Sequence, residues 1–479
     1  MSQEMSVSAP NQILKAPTGI QGLDEITRGG LPHGRPTLVC GPAGCGKTLL
    51  AMEFIIKGIT ECNEHGVFIT FDEYTRELGQ NVASLGFDLD ALILNNSLMV
   101  KEIDLEEQGT IEVGEFDLEG LFAQIGLSID RVEAKRVAID GIETLFSYFT
   151  RESTIRRELM RLFRWLKQKE VTVVITGEGS SNTRGATRHG IEEYISDCVI
   201  YLDQRIQDQI ATRRLHIQKY RGSVHDTNEF PFLITGQGIS VLPVTSLTLD
   251  HQASRERVST GIQELDEMLG GQGYYRGSSI LVSGTAGTGK SCLAAHFARS
   301  LAVSGKRCLY FAFEESAGQI IRNMDSMGLD LEPFMDQGLL HFHAMRPTQF
   351  GLEMHLLTMT RCIKDLQPAA VIFDPISNLT AIGEEIAIKT MFMQILDHLK
   401  QEQITALCTD LTPGGSYPES TEVGISSITD TWILLRQIQK RKTFQRSLYI
   451  LKSRGMNHSG KLHPFELSSS GICIHNAHE

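Results

Sequence analysis

A glycine-rich stretch near the start of the chain has the residue types and spacing that hold nucleotide phosphates. Residues 41–48 read GPAGCGKT and fit the pattern G-x-x-x-x-G-K-[ST]. Glycines let several backbone N–H groups converge on one phosphate, where a Cβ would block the approach. Lys47 can then reach the β- and γ-phosphates, and the Thr48 hydroxyl can ligate Mg²⁺. Residues 284–291 repeat the pattern as GTAGTGKS, so a chance glycine-rich turn is a poor explanation.

The elements around each stretch suit this chemistry. Apolar runs at 37–40 and 280–283 predict buried strands, and a helical pattern follows each loop, from Leu49 in the first case. A helix N-terminus favours a bound anion. The sequence therefore predicts two nucleotide-binding units that use ATP and Mg²⁺.

Two aspartates stand where apolar strands end. Asp140 follows residues 137–139, and Asp374 follows residues 371–373. Ligands bind at this edge of open α/β sheets, and an acidic residue there can hold Mg²⁺ through water. The alternative is a plain strand-end cap, which the presence of an aspartate in both halves disfavours.

Paired carboxylates close another strand in each half. Asp72-Glu73 and Glu314-Glu315 are predicted catalytic residues, because a carboxylate beside ATP can accept a proton from an attacking water or hydroxyl. One member of each pair is expected to act, and the other can be a solvated neighbour.

Internal repetition organises the whole chain. The two glycine-rich phosphate-binding stretches, called P-loops below, lie 243 positions apart. TGIQGLDE at 18–25 recurs as TGIQELDE at 260–267, and KYRG at 219–222 corresponds to KSRG at 452–455. The order is the same in both halves. We predict a tandem duplication with domains 1–247 and 248–479, joined by a polar linker at 245–259.

Each half alternates short apolar strands with amphipathic helices, as in a mostly parallel sheet flanked by helices. The predicted fold class is therefore doubly wound α/β, used twice. One helix carries Arg156, Arg157, Arg161 and Arg164 beside its apolar stripe. A solvated helix face explains these arginines better than a nucleic-acid surface does.

Composition narrows the class of protein. The net charge of −13 disfavours a wide nucleic-acid surface, and no apolar run is long enough for a membrane span. Scattered cysteines, never spaced C-x-x-C, indicate reduced thiols and a cytoplasmic protein. His341 and His343 can share a strand face, where a structural role is favoured over a metal site.

These motifs together resemble the KaiC family of circadian clock ATPases and autokinases, from about Ile13 to about Leu467. The resemblance implies two RecA-like P-loop domains and a homohexamer of two stacked rings, with ATP between neighbouring subunits. The most specific part is residues 421–431, TEVGISSITDT, which match the family's phosphorylation segment. By that match Ser426 and Ser427 occupy the family's serine/threonine pair, of which Ser426 is an acceptor and Ser427 stays open, and Thr421 occupies the other acceptor position. A hydroxyl-rich turn alone has no such meaning.

The resemblance also assigns residues around the nucleotides. Lys219, Arg221, Lys452 and Arg454 match elements that reach a neighbour's γ-phosphate, Arg446 matches a further ATP contact, and Glu314 is implied beside Ser291 at Mg²⁺. The remaining implied ATP contacts are Gly44, Cys45, Gly46, Leu49, Ser84, Tyr220, Ser223 and His225 in the first half, and Gly287, Thr288, Gly289, Lys290, Cys292 and Ser453 in the second.

Three departures from the family pattern matter. The first acidic pair is Asp-Glu instead of Glu-Glu, which leaves the first-ring base open between Asp72 and Glu73. Asp374 is followed by Pro375 instead of serine. The sequence given stops soon after Leu467, without the regulatory tail that a KaiA partner captures, so a KaiA-like partner is not expected. Residues 111–118 resemble the region associated with KaiB, so a KaiB-like partner remains open.

The function expected from this resemblance is an ATP-hydrolysing hexameric switch with serine/threonine autokinase and autophosphatase activity. The alternatives are a RecA-like nucleic-acid motor of the helicase or recombinase type, and a non-catalytic scaffold that ATP holds together. The acidic balance and the absence of a basic, aromatic-interleaved loop disfavour the motor.

Overall fold

The structure, a computed structural model, describes residues 13–103, 118–149, 152–179, 195–207, 210–243, 253–412, 423–440, 443–469 and 471–475. Its contacts divide the chain into two compact units, Met1–Ser246 and Leu247–Glu479. Each unit is described by itself below.

The first unit contains one large sheet and a small one, in which β1 pairs with β2. The strands of this unit are β1 (Lys15–Ala16), β2 (Leu31–Pro32), β3 (Pro36–Gly41), β4 (Gly66–Thr70), β5 (Leu98–Glu102), β6 (Arg136–Asp140), β7 (Thr172–Glu178), β8 (Cys198–Gln207), β9 (Ile210–Tyr220), β10 (Phe230–Thr235) and β11 (Gly238–Val241). Its helices are α1 (Leu23–Ile26), α2 (Lys47–Cys62), α3 (Thr75–Ala83), α4 (Leu89–Leu94), α5 (Glu119–Val132) and α6 (Glu152–Gln168), with a 3₁₀ helix at Ile142–Tyr148.

Nine strands pair in the order β11-β10-β9-β8-β3-β7-β6-β4-β5. Pairing is parallel from β8 through β3, β7, β6 and β4 to β5, and antiparallel from β8 to β11. Because β3, β4 and β6 run in parallel, Gly41, Thr70 and Asp140 end at the same edge of the sheet. The predicted phosphate-binding and acidic residues of the first unit therefore follow strands that end at this edge.

The second unit repeats the plan. Its strands are β12 (Arg257–Val258), β13 (Tyr274–Tyr275), β14 (Ser279–Gly284), β15 (Cys308–Ala312), β16 (Leu340–Ala344), β17 (Ala370–Asp374), β18 (Thr405–Leu411), β19 (Thr431–Lys440), β20 (Thr443–Ser453), β21 (His463–Ser468) and β22 (Gly471–Ile474). Its helices are α7 (Gln263–Met268), α8 (Lys290–Val303), α9 (Ala317–Asp325), α10 (Glu332–Asp336), α11 (Leu352–Leu366) and α12 (Glu385–Gln401), with 3₁₀ helices at Pro347–Gln349, Ile376–Ala381 and Ile425–Ser427.

The second sheet has the order β16-β15-β17-β18-β14-β19-β20-β21-β22, which is the order of the first sheet strand for strand. Helices lie on both faces, and the buried apolar side chains of the central strands pack beneath them. Continuous apolar strands are expected where both faces of a sheet are covered. The predicted fold class, two tandem mostly parallel α/β domains, is confirmed.

The repeated motif TGIQ-x-LDE closes the turn that enters each unit. Asp24 accepts hydrogen bonds from the Thr18 amide and hydroxyl, both at 2.8 Å, and from the Gly19 amide at 3.1 Å. Asp266 accepts from the Thr260 amide at 2.8 Å in the second unit. The aspartate thus satisfies donors that precede the helix, which accounts for its place in both motifs.

The structure also describes the arginine-rich helix α6 and the histidines of β16. Arg161 contacts Glu119 at 2.6 Å, and Arg157 contacts Glu158 at 3.1 Å, as on a solvated helix face. His341 contacts the Gly338 carbonyl oxygen, and no cluster of metal-ligating side chains occurs among the described residues. Within the same ranges, no helix is long and apolar enough to cross a membrane.

Candidate functional site

The first P-loop lies between β3 and α2. Gly44 and Gly46 have φ values of 76° and 103°, a region that side chains with a Cβ disfavour, and Gly46 caps α2. The Lys47 ammonium donates to the carbonyl oxygens of Gly41 at 3.0 Å and Pro42 at 2.9 Å. These contacts hold the lysine over its own loop, where a phosphate would sit against the α2 N-terminus.

Asp140 is tied to this loop directly. Its Oδ2 accepts from the Thr48 hydroxyl at 2.9 Å, and its Oδ1 accepts from the Thr176 hydroxyl at 2.6 Å. Burial raises the pKa of Asp140, and the hydrogen bonds from Thr176 and Thr48 oppose that rise. A carboxylate and a hydroxyl side by side are hard oxygen donors, the set that Mg²⁺ prefers. The structure therefore brings the two predicted metal-site residues of the first unit together.

The first acidic pair follows β4. Asp72 is exposed and accepts from the Thr144 hydroxyl at 3.0 and 3.1 Å. Glu73 is half-buried, and the Asn81 side-chain amide reaches it at 3.4 Å. Burial, followed by repulsion from Asp140, raises the pKa of Glu73. The two carboxylates thus stand in different surroundings at the same edge as Asp140.

The second P-loop reproduces the first. Gly287 and Gly289 have φ values of 74° and 103°, and Lys290 donates to the carbonyl oxygens of Gly284 at 2.9 Å and Thr285 at 3.0 Å. The Thr288 hydroxyl donates to the Thr285 carbonyl oxygen at 2.8 Å inside the loop.

The metal-site carboxylate of the second unit has different partners. Asp374 Oδ2 accepts from the Tyr310 hydroxyl at 2.5 Å, and Oδ1 accepts from the Thr409 hydroxyl. Within the described ranges, Ser291 makes no hydrogen bond to Asp374, although Thr48 makes that bond to Asp140 in the first unit. The oxygen donors needed for Mg²⁺ are present in both units.

The second acidic pair matches the first in one respect. Glu314 is exposed, while Glu315 is half-buried and accepts from the Asn323 amide at 3.2 and 3.4 Å. In both units an asparagine eight residues along the chain holds the second acid and leaves the first exposed to solvent.

The predicted phosphorylation segment contacts Lys452 and Arg454 of its own unit. We call this pair, and the corresponding Lys219 and Arg221 of the first unit, the Lys-x-Arg arms. Lys452 donates to the Ser426 carbonyl oxygen at 2.5 Å, and Arg454 donates to that of Ser427 at 2.9 Å. Burial, followed by repulsion from Arg454, lowers the pKa of Lys452. Ser426 is half-buried and Ser427 is exposed. Thr421 lies outside the described residues.

Asp430 anchors this arm. It lies 3.1 Å from Lys400 and 3.9 Å from Arg454, and its carbonyl oxygen accepts from the Arg454 amide at 2.9 Å. Burial alone would raise the pKa of Asp430, but hydrogen bonds from Ser279 and attraction to Lys400 lower it below its usual value.

The corresponding arm of the first unit is anchored by Asp197. Arg221 lies 4.0 Å from this carboxylate, and the Arg221 amide donates to the Asp197 carbonyl oxygen at 2.8 Å, while Lys219 is half-buried in β9. The next three predicted ATP contacts, Tyr220, Ser223 and His225, contact residues of their own unit. Tyr220 donates to the Gly30 carbonyl oxygen at 2.8 Å, Ser223 accepts from Lys15 at 2.8 Å, and the His225 ring stacks 6.2 Å from that of Tyr220.

The other predicted ATP contacts fall in several places. Arg446 reaches the Gly287 carbonyl oxygen at 3.4 Å, so it touches the P-loop of its own unit. Leu49 lies in the first turn of α2 and packs against the apolar core, and Cys45 and Cys292 are buried. Ser84 is exposed at the end of α3, and Ser453 bonds with Thr431 at 2.9 Å. Residues 111–117 of the region compared with KaiB lie outside the described residues.

Sequence reasoning missed several site residues. Thr176, Thr409 and Tyr310 support the metal-site aspartates from other strands, which no local motif signals. The Glu73–Asn81 and Glu315–Asn323 spacings were available in the repeat comparison. Glu143 was also missed; burial raises its pKa, and its Oε2 is buried without a hydrogen-bond partner among the described residues.

Comparison with known proteins agrees with this duplicated site. The KaiC ATPase family model matches residues 16–246 and 258–479. The circadian clock protein KaiC2 of Synechocystis sp. is 52% identical over 468 residues, covering 97% of this chain and 82% of that protein.

Two circadian clock oscillator proteins named KaiC are similar over the same span. That of Parathermosynechococcus lividus is 38% identical over 97% of this chain and 86% of its own length. That of Synechococcus elongatus is 37% identical over 98% of this chain and 91% of its own length. The predicted resemblance is confirmed: with both halves matched and relatives similar over nearly the whole sequence, the chain belongs to the KaiC family of ATPases.

Proposed function

We propose that this KaiC-family ATPase is a hexameric switch with two chemistries. The first unit hydrolyses ATP, and the second unit transfers phosphate from ATP to serine and threonine hydroxyls of the same protein and later removes it. ATP and Mg²⁺ are the cofactors. The proposal is supported by two P-loops, two aspartates beside hydroxyl donors, and an exposed carboxylate at each strand end.

One observation carries the autokinase proposal. The cationic arm of the second unit holds the backbone of Ser426 and Ser427 through their carbonyl oxygens, at 2.5 and 2.9 Å. Their hydroxyl groups make no hydrogen bond within the described part of the chain. A segment fixed by its backbone, with side-chain hydroxyls that are not engaged in hydrogen bonds of their own there, suits a phosphoryl acceptor, because transfer depends on positioning.

The transfer step follows from this arrangement. A serine Oγ attacks the γ-phosphorus, the new P–O bond forms, and the bond to the β–γ bridging oxygen breaks as ADP leaves. Glu314 takes the hydroxyl proton, because Asn323 holds its neighbour Glu315. Ser291 and Asp374 would hold Mg²⁺, which would neutralise part of the phosphate charge. Thr421 is proposed as a second acceptor.

In the first unit the nucleophile is water. We assign Asp72 as the base, because Asn81 holds Glu73 back while Asp72 stays exposed and accepts only from Thr144 among the described residues. Thr144 fills one of about four acceptor positions of the carboxylate. Lys47 would stabilise charge on the phosphates, and Thr48 and Asp140 would hold Mg²⁺.

The arms extend the proposal to assembly. Lys219, Arg221, Lys452 and Arg454 would stabilise γ-phosphate charge on a neighbouring subunit's ATP, since a cation supplied in trans couples hydrolysis to assembly. ATP should then favour the hexamer by mass action. A KaiB-like partner on the first unit is part of this proposal.

Phosphosite mapping tests the function. The full chain is incubated with ATP and Mg²⁺ and analysed by mass spectrometry, with Lys290→Ala and with the double change Ser426→Ala, Ser427→Ala. Ser304→Ala is the matched control, because it removes an exposed hydroxyl at the end of α8. We expect phosphate on the 421–427 segment in wild type and the control, and none in Lys290→Ala.

Unmodified wild type, or an unchanged pattern in Lys290→Ala, contradicts the autokinase proposal. ATP turnover without any phosphorylated protein would show that the protein is an ATPase and not an autokinase. ATP-dependent assembly with neither activity indicates a scaffold.

A further inference from the structure

The metal-site aspartates of the two units are supported from different directions. In the first unit, Asp140 Oδ2 accepts from Thr48, which belongs to the P-loop helix. In the second unit, Asp374 Oδ2 accepts at 2.5 Å from Tyr310, which belongs to the neighbouring strand β15. The other oxygen accepts from equivalent threonines, Thr176 and Thr409. The difference is therefore confined to one oxygen.

The strand register shows that Tyr310 and Phe68 are equivalent positions of the two units. Tyr310 pairs with Ile372, two residues before Asp374, and Phe68 pairs with Ala138, two residues before Asp140. The two aromatic side chains thus occupy the same place under the P-loop helix of their units, and both are fully buried. They differ by one hydroxyl group.

We propose that Tyr310 is a positioning residue for Mg²⁺ at the second nucleotide site. Its hydroxyl fixes the orientation of Asp374 from within the sheet, as Thr48 fixes Asp140 from the helix. This inference rests on the proposed nucleotide function of the second unit.

The physical reason is the number of acceptor positions on a carboxylate. Two oxygens offer about four, and Tyr310 and Thr409 use one each, so the remaining positions can face a metal or its water ligands. A carboxylate held at both oxygens cannot rotate, and loss of such outer support typically weakens metal binding about 10- to 100-fold. Because Tyr310 supports Asp374, the Ser291 hydroxyl is left for the metal itself.

The tyrosine also has no competing partner in the described part of the chain. Its hydroxyl is buried in the apolar cluster beneath α8, and Asp374 is its one hydrogen-bond acceptor there. Most buried hydroxyls are paired, and this one has Asp374 as its partner. The pairing alone would suit a core tyrosine, and the experiment must therefore separate metal positioning from core packing.

The test is a Mg²⁺ titration of equilibrium binding of a fluorescent ATP analogue to the full chain. Lys290→Ala identifies the second-site component, because that component disappears. Tyr310→Phe installs the residue that the first unit carries, so the core keeps its shape. We expect the Mg²⁺ concentration at half-saturation of the second-site component to rise about tenfold, with binding in EDTA unchanged.

Two further variants act as controls. Thr409→Val removes the other support of Asp374 and should shift the same component in the same direction. Phe68→Tyr adds a hydroxyl near Asp140, which Thr48 already holds, and should leave the first-site component in place. A core role for Tyr310 would change the thermal stability of the nucleotide-free protein without moving the Mg²⁺ curve.

The outcomes are distinct. If Tyr310→Phe leaves the Mg²⁺ curve unchanged, or moves it to lower Mg²⁺ as competition would, the positioning role is overturned and the nucleotide site stands. If wild type shows no Mg²⁺-dependent component that Lys290→Ala removes, the proposed function of the second unit fails, and the role of Tyr310 fails with it.

Discussion

Glu53 should make the stability of the first unit fall as pH rises. This side chain lies on α2, six residues after the P-loop lysine, and is 2% exposed. Its Oε2 accepts from the Ile239 amide of β11 at 2.7 Å. Burial raises the pKa of Glu53 from 4.5 to about 7, against the opposing effects of the Ile239 hydrogen bond and of Lys57.

The sign and size follow from proton linkage. The folded state binds the proton more tightly than the unfolded state, so stability is present below pH 4.5 and is lost as pH rises through about 7. At about 1.4 kcal/mol per pKa unit, the free energy of unfolding should fall by about 2.5 kcal/mol between pH 5 and pH 8. Glu53→Gln keeps an oxygen acceptor for Ile239 and cannot ionise, so it should abolish this loss.

The two tryptophans make the measurement specific. Trp165 belongs to the first unit and Trp432 to the second, so Trp432→Phe leaves a fluorescence signal from the first unit alone. Urea unfolding of the full chain is then compared across pH with and without Glu53→Gln. Glu61→Gln is the matched control, because Glu61 lies on the same helix, is 48% exposed and pairs with Lys57. Parallel pH curves for Glu53→Gln and its parent would refute the reasoning.

Three other outcomes are expected. Lys47→Ala should remove most ATP turnover or hexamer formation, with turnover measured by phosphate release. Lys290→Ala should abolish phosphorylation, as measured by mass spectrometry. Normal phosphorylation in Lys290→Ala would contradict the division of roles between the units. Glu314→Gln should slow phosphorylation by about 10²- to 10⁴-fold while ATP still binds, and Glu315→Gln should slow it far less; equal losses in single-turnover assays would reject Glu314 as the base. Asp72→Asn should reduce first-site hydrolysis more than Glu73→Gln does, and the reverse order in steady-state assays would assign Glu73.

The fold and the core of the site could be predicted because their signals are local. The P-loop pattern lies within eight consecutive residues, and Asp140 and Asp374 are recognised as the ends of apolar strands. The repeat then supported each assignment twice. Such signals depend on backbone geometry and on side-chain periodicity, both of which short stretches of sequence carry.

The supports of the site could not be predicted in the same way. Thr176 and Asp140 are 36 positions apart, Tyr310 and Asp374 are 64 apart, and Glu53 meets an amide 186 positions away. These pairs depend on which strands become neighbours, so each residue looks like ordinary core or surface in the sequence. Tyr310 in particular is one aromatic residue within an apolar strand.

The second unit should respond to pH in the opposite direction, because His296 replaces Glu53 at the same distance from the P-loop lysine. His296 Nε2 accepts from the Ile472 amide at 3.1 Å, and burial lowers its pKa from 6.5 to about 4. Stability is therefore present above pH 6.5 and is lost as pH falls toward 4, by about 2 kcal/mol at pH 5. With Trp165→Phe, Trp432 reports this unit alone, and His296→Gln should flatten the acid limb. Each side chain accepts from the amide of the second residue of its unit's last strand, Ile239 in β11 and Ile472 in β22, so the opposite slopes must come from ionisation. A slope of the same sign in both units would show that at least one of the two residues does not govern it.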